Sequence, residues 1–107
     1  MPRSKSYQSD LINALKDPVE AQEYLNAALE DGNPEVFLLA LRDVAEARLG
    51  GIKQLADVTK LNRESLYRML SEKGNPELNS LNVILSTLGF RLAIERQTAS
   101  QQPSAAL

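Results

Sequence analysis

Cysteine and histidine are both missing from the 107 residues. Without cysteine there is no disulfide framework and no thiolate metal site. Without histidine the commonest general base and the commonest zinc ligand are gone as well. Long apolar runs are absent too. Nothing approaches the roughly 20 residues that cross a bilayer as a helix, so no membrane association is expected. The first ten residues, MPRSKSYQSD, hold charge but not the apolar stretch of a secretory signal, and a cytoplasmic location is the expectation. There is no glycine-rich phosphate loop, no close Ser/Lys pair and no carboxylate pair on a common loop, which leaves an enzyme little to work with. Asp43 and Glu46 share a helix face at i, i+3; with no pocket in view they read as surface charges. Neither a metal nor a cofactor is expected.

What remains suits one small domain. The chain is 43% hydrophobic with a formal net charge of −2, enough for a modest core at this length. The charge is unevenly spread. Between Pro18 and Leu49 stand seven acids (Glu20, Glu23, Glu30, Asp31, Glu35, Asp43, Glu46) against Arg42 and Arg48. Between Ile52 and Lys73 the balance reverses: Lys53, Lys60, Arg63, Arg68 and Lys73 outnumber Asp57, Glu64 and Glu72. An acidic protein with one basic stretch remains compatible with nucleic acid, because a basic face matters more than the overall sign. The plain alternative is a set of solvated helix faces.

Helical spacing dominates the chain. Leu11, Ile12 and Leu15 predict a short first helix, closed before Pro18. Asp17-Pro18 and Asn33-Pro34 each offer a capping side chain followed by proline at the first helical position. The helices they open carry Ala21, Tyr24, Leu25, Ala28 and Leu29, then Phe37, Ala40, Leu41, Val44 and Ala45, at i, i+3, i+4, i+7, i+8. Asp31-Gly32 and Gly50-Gly51 end them. Two short helices come next, Ile52 to about Val58 and Asn62 to about Lys73. A further helix carries Leu81, Ile84, Leu85 and Leu88, capped by Asn79 or Ser80 and ended by Gly89. Then the period becomes two: Phe90, Leu92 and Ile94 alternate with Arg91, Ala93 and Glu95, which predicts a short strand. Residues 1–7 are expected to form a flexible segment, 8–96 one domain, and 97–107 a disordered polar tail. A lone strand leaves its backbone groups unpaired, so Phe90, Leu92 and Ile94 are expected to pair with a second copy in a homodimer.

The two short helices carry the functional signal. Leu55, Ala56, Leu61, Leu66 and Leu70 are the inward positions of "GIKQLADVTKLNRESLYRML", and a small residue at Ala56 lets the helices cross closely at the steep angle of a helix-turn-helix. Arg63, Glu64, Tyr67 and Arg68 then face outward. A helix fits the major groove, where arginine pairs with guanine and a carboxylate accepts from cytosine. Lys53 and Gln54 open the preceding helix, where free N–H groups favour phosphate. Lys60 and Lys73 flank the reading helix, and Asn62 is its cap. One residue goes against the pattern: Lys60 occupies the turn position where glycine is easiest, at roughly 1–2 kcal/mol for a left-handed lysine.

The order of these pieces, with "YLNAALEDGNPEVFLLALRDVAEARLG" and "LADVTKLNRESLYRMLSEKGNPELNSLNVILSTLGFRLAIE", resembles the probable addiction module antidote proteins, small HigA-like antitoxins with a Cro/C1-type helix-turn-helix. The likeness runs from Lys16 to Glu95, and "RESLYRMLSEKGNP" is its most specific part. It implies an all-α, five- to six-helix, lambda-repressor-like domain with a short C-terminal β-strand. It further implies an antitoxin of a type II module that binds a RelE/ParE-like (HigB-like) toxin and, as a dimer, represses its own operon through double-stranded operator DNA. Its recognition helix falls on Asn62 to Ser71, with Arg63, Glu64, Ser65, Tyr67 and Arg68 toward DNA. The toxin-contacting residues are left unspecified. The acidic stretch, with Glu20, Glu23, Glu30 and Asp31, is the candidate by charge complementarity, against a merely solvated acidic face. A stand-alone phage-type repressor and a protein-interaction module without DNA binding are the alternatives.

Overall fold

Six helices and their connections account for residues 5–97, which the computed structural model describes. They are α1 (Lys5–Ala14), α2 (Pro18–Asp31), α3 (Pro34–Leu49), α4 (Ile52–Thr59), α5 (Arg63–Met69) and α6 (Leu78–Thr87). α1 starts at Lys5, ahead of the domain boundary expected at residue 8. The tail expected from 97 onward lies, from 98, outside the described residues.

Local chemistry sets the ends of α2 and α3 as anticipated. Asp17, in extended backbone, accepts from the Val19 N–H at 2.9 Å, and Asn33 accepts from the Glu35 N–H at 2.9 Å, each followed by proline at the first helical position. Each capping side chain answers one of the orphan donors of a helix start. Gly32 (φ 84°) and Gly50 (φ 106°) close the two helices in the left-handed conformation that glycine adopts without a Cβ clash. The start of α6 differs from expectation. Neither Asn79 nor Ser80 caps it; Glu77 does, with its backbone carbonyl taking the Leu81 N–H at 2.9 Å and no side-chain bond. Pro76 ends the preceding turn, and the chain enters the helix as soon as that constraint is past.

α3 lies at the centre, packed by α1, α2 and α4, while α4 also carries α5 and α6. Phe37, Ala40, Leu41, Val44 and Ala45 of α3 are all buried. So are Ala21, Leu25 and Ala28 of α2, Leu15 after α1, and Ile84, Leu85 and Leu88 at α6. Leu29, expected on the inner face of α2, is half exposed at 48%.

Asp43 overturns its reading as a surface charge. It is 4% exposed. The Gln8 amide donates to its Oδ1 at 3.1 Å and the Tyr24 hydroxyl to its Oδ2 at 2.7 Å. One carboxylate thus joins α1, α2 and α3, and both oxygens are satisfied, as burial of a charge requires. Glu46 is the exposed member of the pair.

The expected strand is also corrected. Phe90 gives its N–H to the Leu85 carbonyl at 2.8 Å, continuing the end of α6, and no strand forms among the described residues. A strand exists only by its partner's hydrogen bonds, and the described residues, all helix and connection, offer it no edge.

Asp43→Ala should therefore cost about 1–3 kcal/mol, the penalty for stranding buried donors, whereas Glu46→Ala should stay within about 0.5 kcal/mol. Urea denaturation of the two variants checks the difference.

Candidate functional site

The turn between α4 and α5 is built by one threonine and one strained lysine. Thr59 Oγ1 donates to the Leu55 carbonyl at 2.7 Å and accepts from the Leu61 N–H at 3.2 Å. This hydroxyl stitches the last turn of α4 to the connection, a role the sequence pattern alone did not reveal. Lys60 is left-handed (φ 63°, ψ 15°), the only non-glycine residue with positive φ among those described, and its N–H reaches the Ala56 carbonyl at 2.9 Å. Leu61 comes next, half-buried against the core. Asn62 then caps α5, accepting from the Ser65 N–H at 2.9 Å.

α5 is shorter than expected. It spans seven residues and ends at Met69 rather than near Lys73, so the cation in its last turn is Arg68. The cause lies in the return of the chain. Gly74 passes so close to the carbonyls of Met69 and Arg68 that any Cβ there would overlap them, and the Gly74 N–H bonds to the Ser71 carbonyl at 2.9 Å. Ser71 Oγ donates to the Arg68 carbonyl at 2.8 Å, answering one of the orphan acceptors of the helix end. Lys73 stands beyond the helix, exposed.

Burial fixes the rotation of α5. Leu66 is fully buried and Leu70 is 1% exposed, with Met69 half-buried beside them. Arg63, Glu64, Tyr67 and Arg68 consequently face solvent. The Arg63 guanidinium lies 6.0 Å from the centre of the Tyr67 ring, the two stacked one turn apart. Arg68 Nη2 reaches Ser65 Oγ at 3.5 Å. Two guanidinium groups, a phenol and a carboxylate thus share one exposed face. Ser65 is half-buried, and Asn62 already spends its side-chain oxygen on the cap, so both serve the helix start as well as the face.

Lys53 and Gln54 are exposed in the first turn of α4, whose N-cap, Gly51, has no capping side chain. The Gln54 carboxamide lies over Gly50 and Gly51, where Cβ atoms would come within 3.3 Å of it. The acidic candidates Glu20, Glu23, Glu30 and Asp31 are all exposed on α2, where Glu20 and Asp31 are about 16 Å apart along the axis by helical rise. Of the expected dimerisation residues, Phe90 packs on the core, Leu92 is 38% exposed and Ile94 is fully exposed. A groove of about 600 Å³ runs between α2 and this segment, lined from α2 by Gln22, Leu25, Asn26, Leu29 and Glu30 and from the segment by Phe90, Arg91, Leu92, Ala93 and Glu95, with Ile94 outside it.

A family model described as "Probable addiction module antidote protein" matches residues 5–96. The chain belongs to this antidote family. An uncharacterized protein of Haemophilus influenzae is 33% identical over 87 residues, which cover 81% of this chain and 88% of that protein. No solved structure matches. Membership in an antidote family implies a toxin partner of some kind and points to a regulatory, non-enzymatic protein. Within the antidote's described residues no helix is long and apolar enough to cross a membrane.

The antidote's left-handed lysine yields a direct test. Lys60→Gly removes the Cβ clash, offset by the greater entropy that glycine loses on folding. A net gain of about 0.5–1 kcal/mol is expected, read as an upward shift of the thermal midpoint.

Proposed function

We propose that the chain is the antitoxin of a type II toxin–antitoxin module. It neutralises a RelE/ParE-like (HigB-like) toxin by direct binding, and in the cytoplasm represses its own operon through a Cro/C1-type helix-turn-helix formed by α4 and α5. The reading is supported above all by the burial of Leu66 and Leu70, which leaves Arg63, Glu64, Tyr67 and Arg68 as the exposed face of a helix on a short, tight turn. Family membership supports the toxin partner.

In this reading α5 enters the major groove. Arg63 and Arg68 make bidentate contacts to guanine or hold phosphate, Glu64 accepts from a cytosine amino group, and Tyr67 meets phosphate or a thymine methyl. Lys53 and Gln54 position the backbone from the first turn of α4, and Lys73 flanks the helix. The acidic face of α2 receives the toxin, with Glu20, Glu23, Glu30 and Asp31 steering the encounter. Two copies joined through Phe90, Leu92 and Ile94 present two reading helices to a two-fold operator.

Binding of the Arg63→Ala/Arg68→Ala variant to the chain's own promoter fragment tests the DNA reading. Each arginine that contacts a base should cost about 1–3 kcal/mol and relax preference at one position. One that contacts phosphate should weaken all sequences alike and flatten the salt dependence. The melting curve should barely move, since exposed substitutions stay within about 0.5 kcal/mol. Full affinity in the folded variant would remove α5 as the reader.

The toxin arm has its own test. Coexpression with the toxin of the same module should give a stable complex and restore growth, and charge reversal at Glu20, Glu23, Glu30 and Asp31 should slow association at low salt. An unchanged rate would reject the acidic face and leave neutralisation standing.

A further inference from the structure

The chain beyond α6 leaves the core at a fixed point. Arg48 donates from Nε to the Leu88 carbonyl at 3.0 Å and from Nη1 to the Lys16 carbonyl at 3.3 Å, and its guanidinium lies 5.6 Å from the centre of the Phe90 ring. Phe90 is anchored, but the next residues are not. From Arg91 to Gln97 no backbone group is hydrogen-bonded to another among the described residues. Ile94 is fully exposed and Leu92 partly so, beside the groove against α2. A row of unpaired donors and acceptors next to exposed apolar side chains calls for a second strand.

The sequence of this segment is complementary to itself in one register. We propose that Phe90–Arg96 pairs antiparallel with the same segment of a second copy, centred on Ala93; this rests on the dimer reading above and specifies its geometry. With Ala93 opposite itself, Arg91 faces the partner's Glu95 and Leu92 faces the partner's Ile94, and the two-fold axis repeats each pair. Phe90, Leu92, Ile94 and Arg96 then share one face, with Phe90 opposite the partner's Arg96, and Arg91, Ala93 and Glu95 share the other. Phe90 and Leu92 of the first face and Arg91, Ala93 and Glu95 of the second all border the groove, while Ile94 stands outside it in solvent, free to meet the partner's Leu92. Neighbouring registers lose this match. A one-residue slip would oppose residues that point to different faces and cannot keep the two-fold axis. Centring on Leu92 puts Arg91 against the partner's Ala93, and centring on Ile94 puts Ala93 against the partner's Glu95, so neither pairs Arg91 with Glu95.

Charge exchange in the full chain, followed by sedimentation at low salt, tests the register. Arg91→Glu and Glu95→Arg should each weaken the dimer about tenfold, because like charges then oppose each other twice. Mixing the two single variants should restore association as a heterodimer, and the double variant R91E/E95R should restore the homodimer. Since the chain has no cysteine, a lone Ala93→Cys supplies an independent readout. Directly opposed residues are about 4.5–5.5 Å apart between Cα atoms, within disulfide reach, so this variant should cross-link on mild oxidation. A lone Ile94→Cys, diagonal to its own copy by about 7–8 Å, should cross-link poorly. A wild-type dimer indifferent to the charge exchanges, with no cross-link from Ala93→Cys, overturns the register and leaves the dimer. A wild-type chain that is monomeric at tens of micromolar overturns both, and the antitoxin role stands apart from either result.

Discussion

The DNA reading proposed for this chain depends on holding a seven-residue helix in one orientation. Two turns of helix are far below the length at which helices persist alone in water. α5 exists because Leu66 and Leu70 are sunk in a core shared with Leu55 and Ile84, and because Asn62 and Ser71 answer orphan groups at its two ends. The same burial decides which side chains are exposed. Arg63, Glu64, Tyr67 and Arg68 are outside by the geometry of a helix whose other side is occupied. Packing and the make-up of the exposed face are therefore one constraint seen from two sides.

The remaining helices serve as the frame for that orientation, and two polar residues of α3 join the frame together. Asp43 gathers α1 and α2 through Gln8 and Tyr24. Arg48 gathers the α1–α2 turn, the end of α6 and Phe90. Both make long-range contacts that hydrophobic packing, being non-directional, does not specify by itself. Their positions on the central helix place the acidic face of α2 and the C-terminal segment relative to α4 and α5. A partner bound to α2 and DNA bound to α5 would thus engage one connected scaffold.

The range of each interaction decides how much of this was legible in the sequence. Caps formed within three residues were readable: Asp17-Pro18, Asn33-Pro34 and Asn62 all act as their local chemistry dictates. So was the conflict at Lys60, where helix-end geometry demands a left-handed residue whatever its identity. The inward positions Leu55, Ala56, Leu66 and Leu70 came from periodicity. The length of α5 was not readable, because it ends where Gly74 returns against Met69, a contact absent from any helical pattern. Asp43 was hidden for a similar reason. An acid at i, i+3 from Glu46 looks solvated until α1 is laid over it. The alternation from Phe90 to Glu95 is a true period of two, yet one chain cannot supply the partner that would make it a strand.

Family membership carries the chain as far as an antidote with a toxin partner; that the face of α5 reads DNA is the proposal to be tested. The most direct test tracks each backbone amide of the isotope-labelled protein by NMR during titration with its own promoter fragment, and again with toxin. If α5 is the reader, DNA moves the amides of residues 62–68 first and most, with those of Lys53 and Gln54 next, while toxin moves those of α2. Shifts with DNA confined to α2, or no shift in α5 under conditions where the fragment is bound, would contradict it.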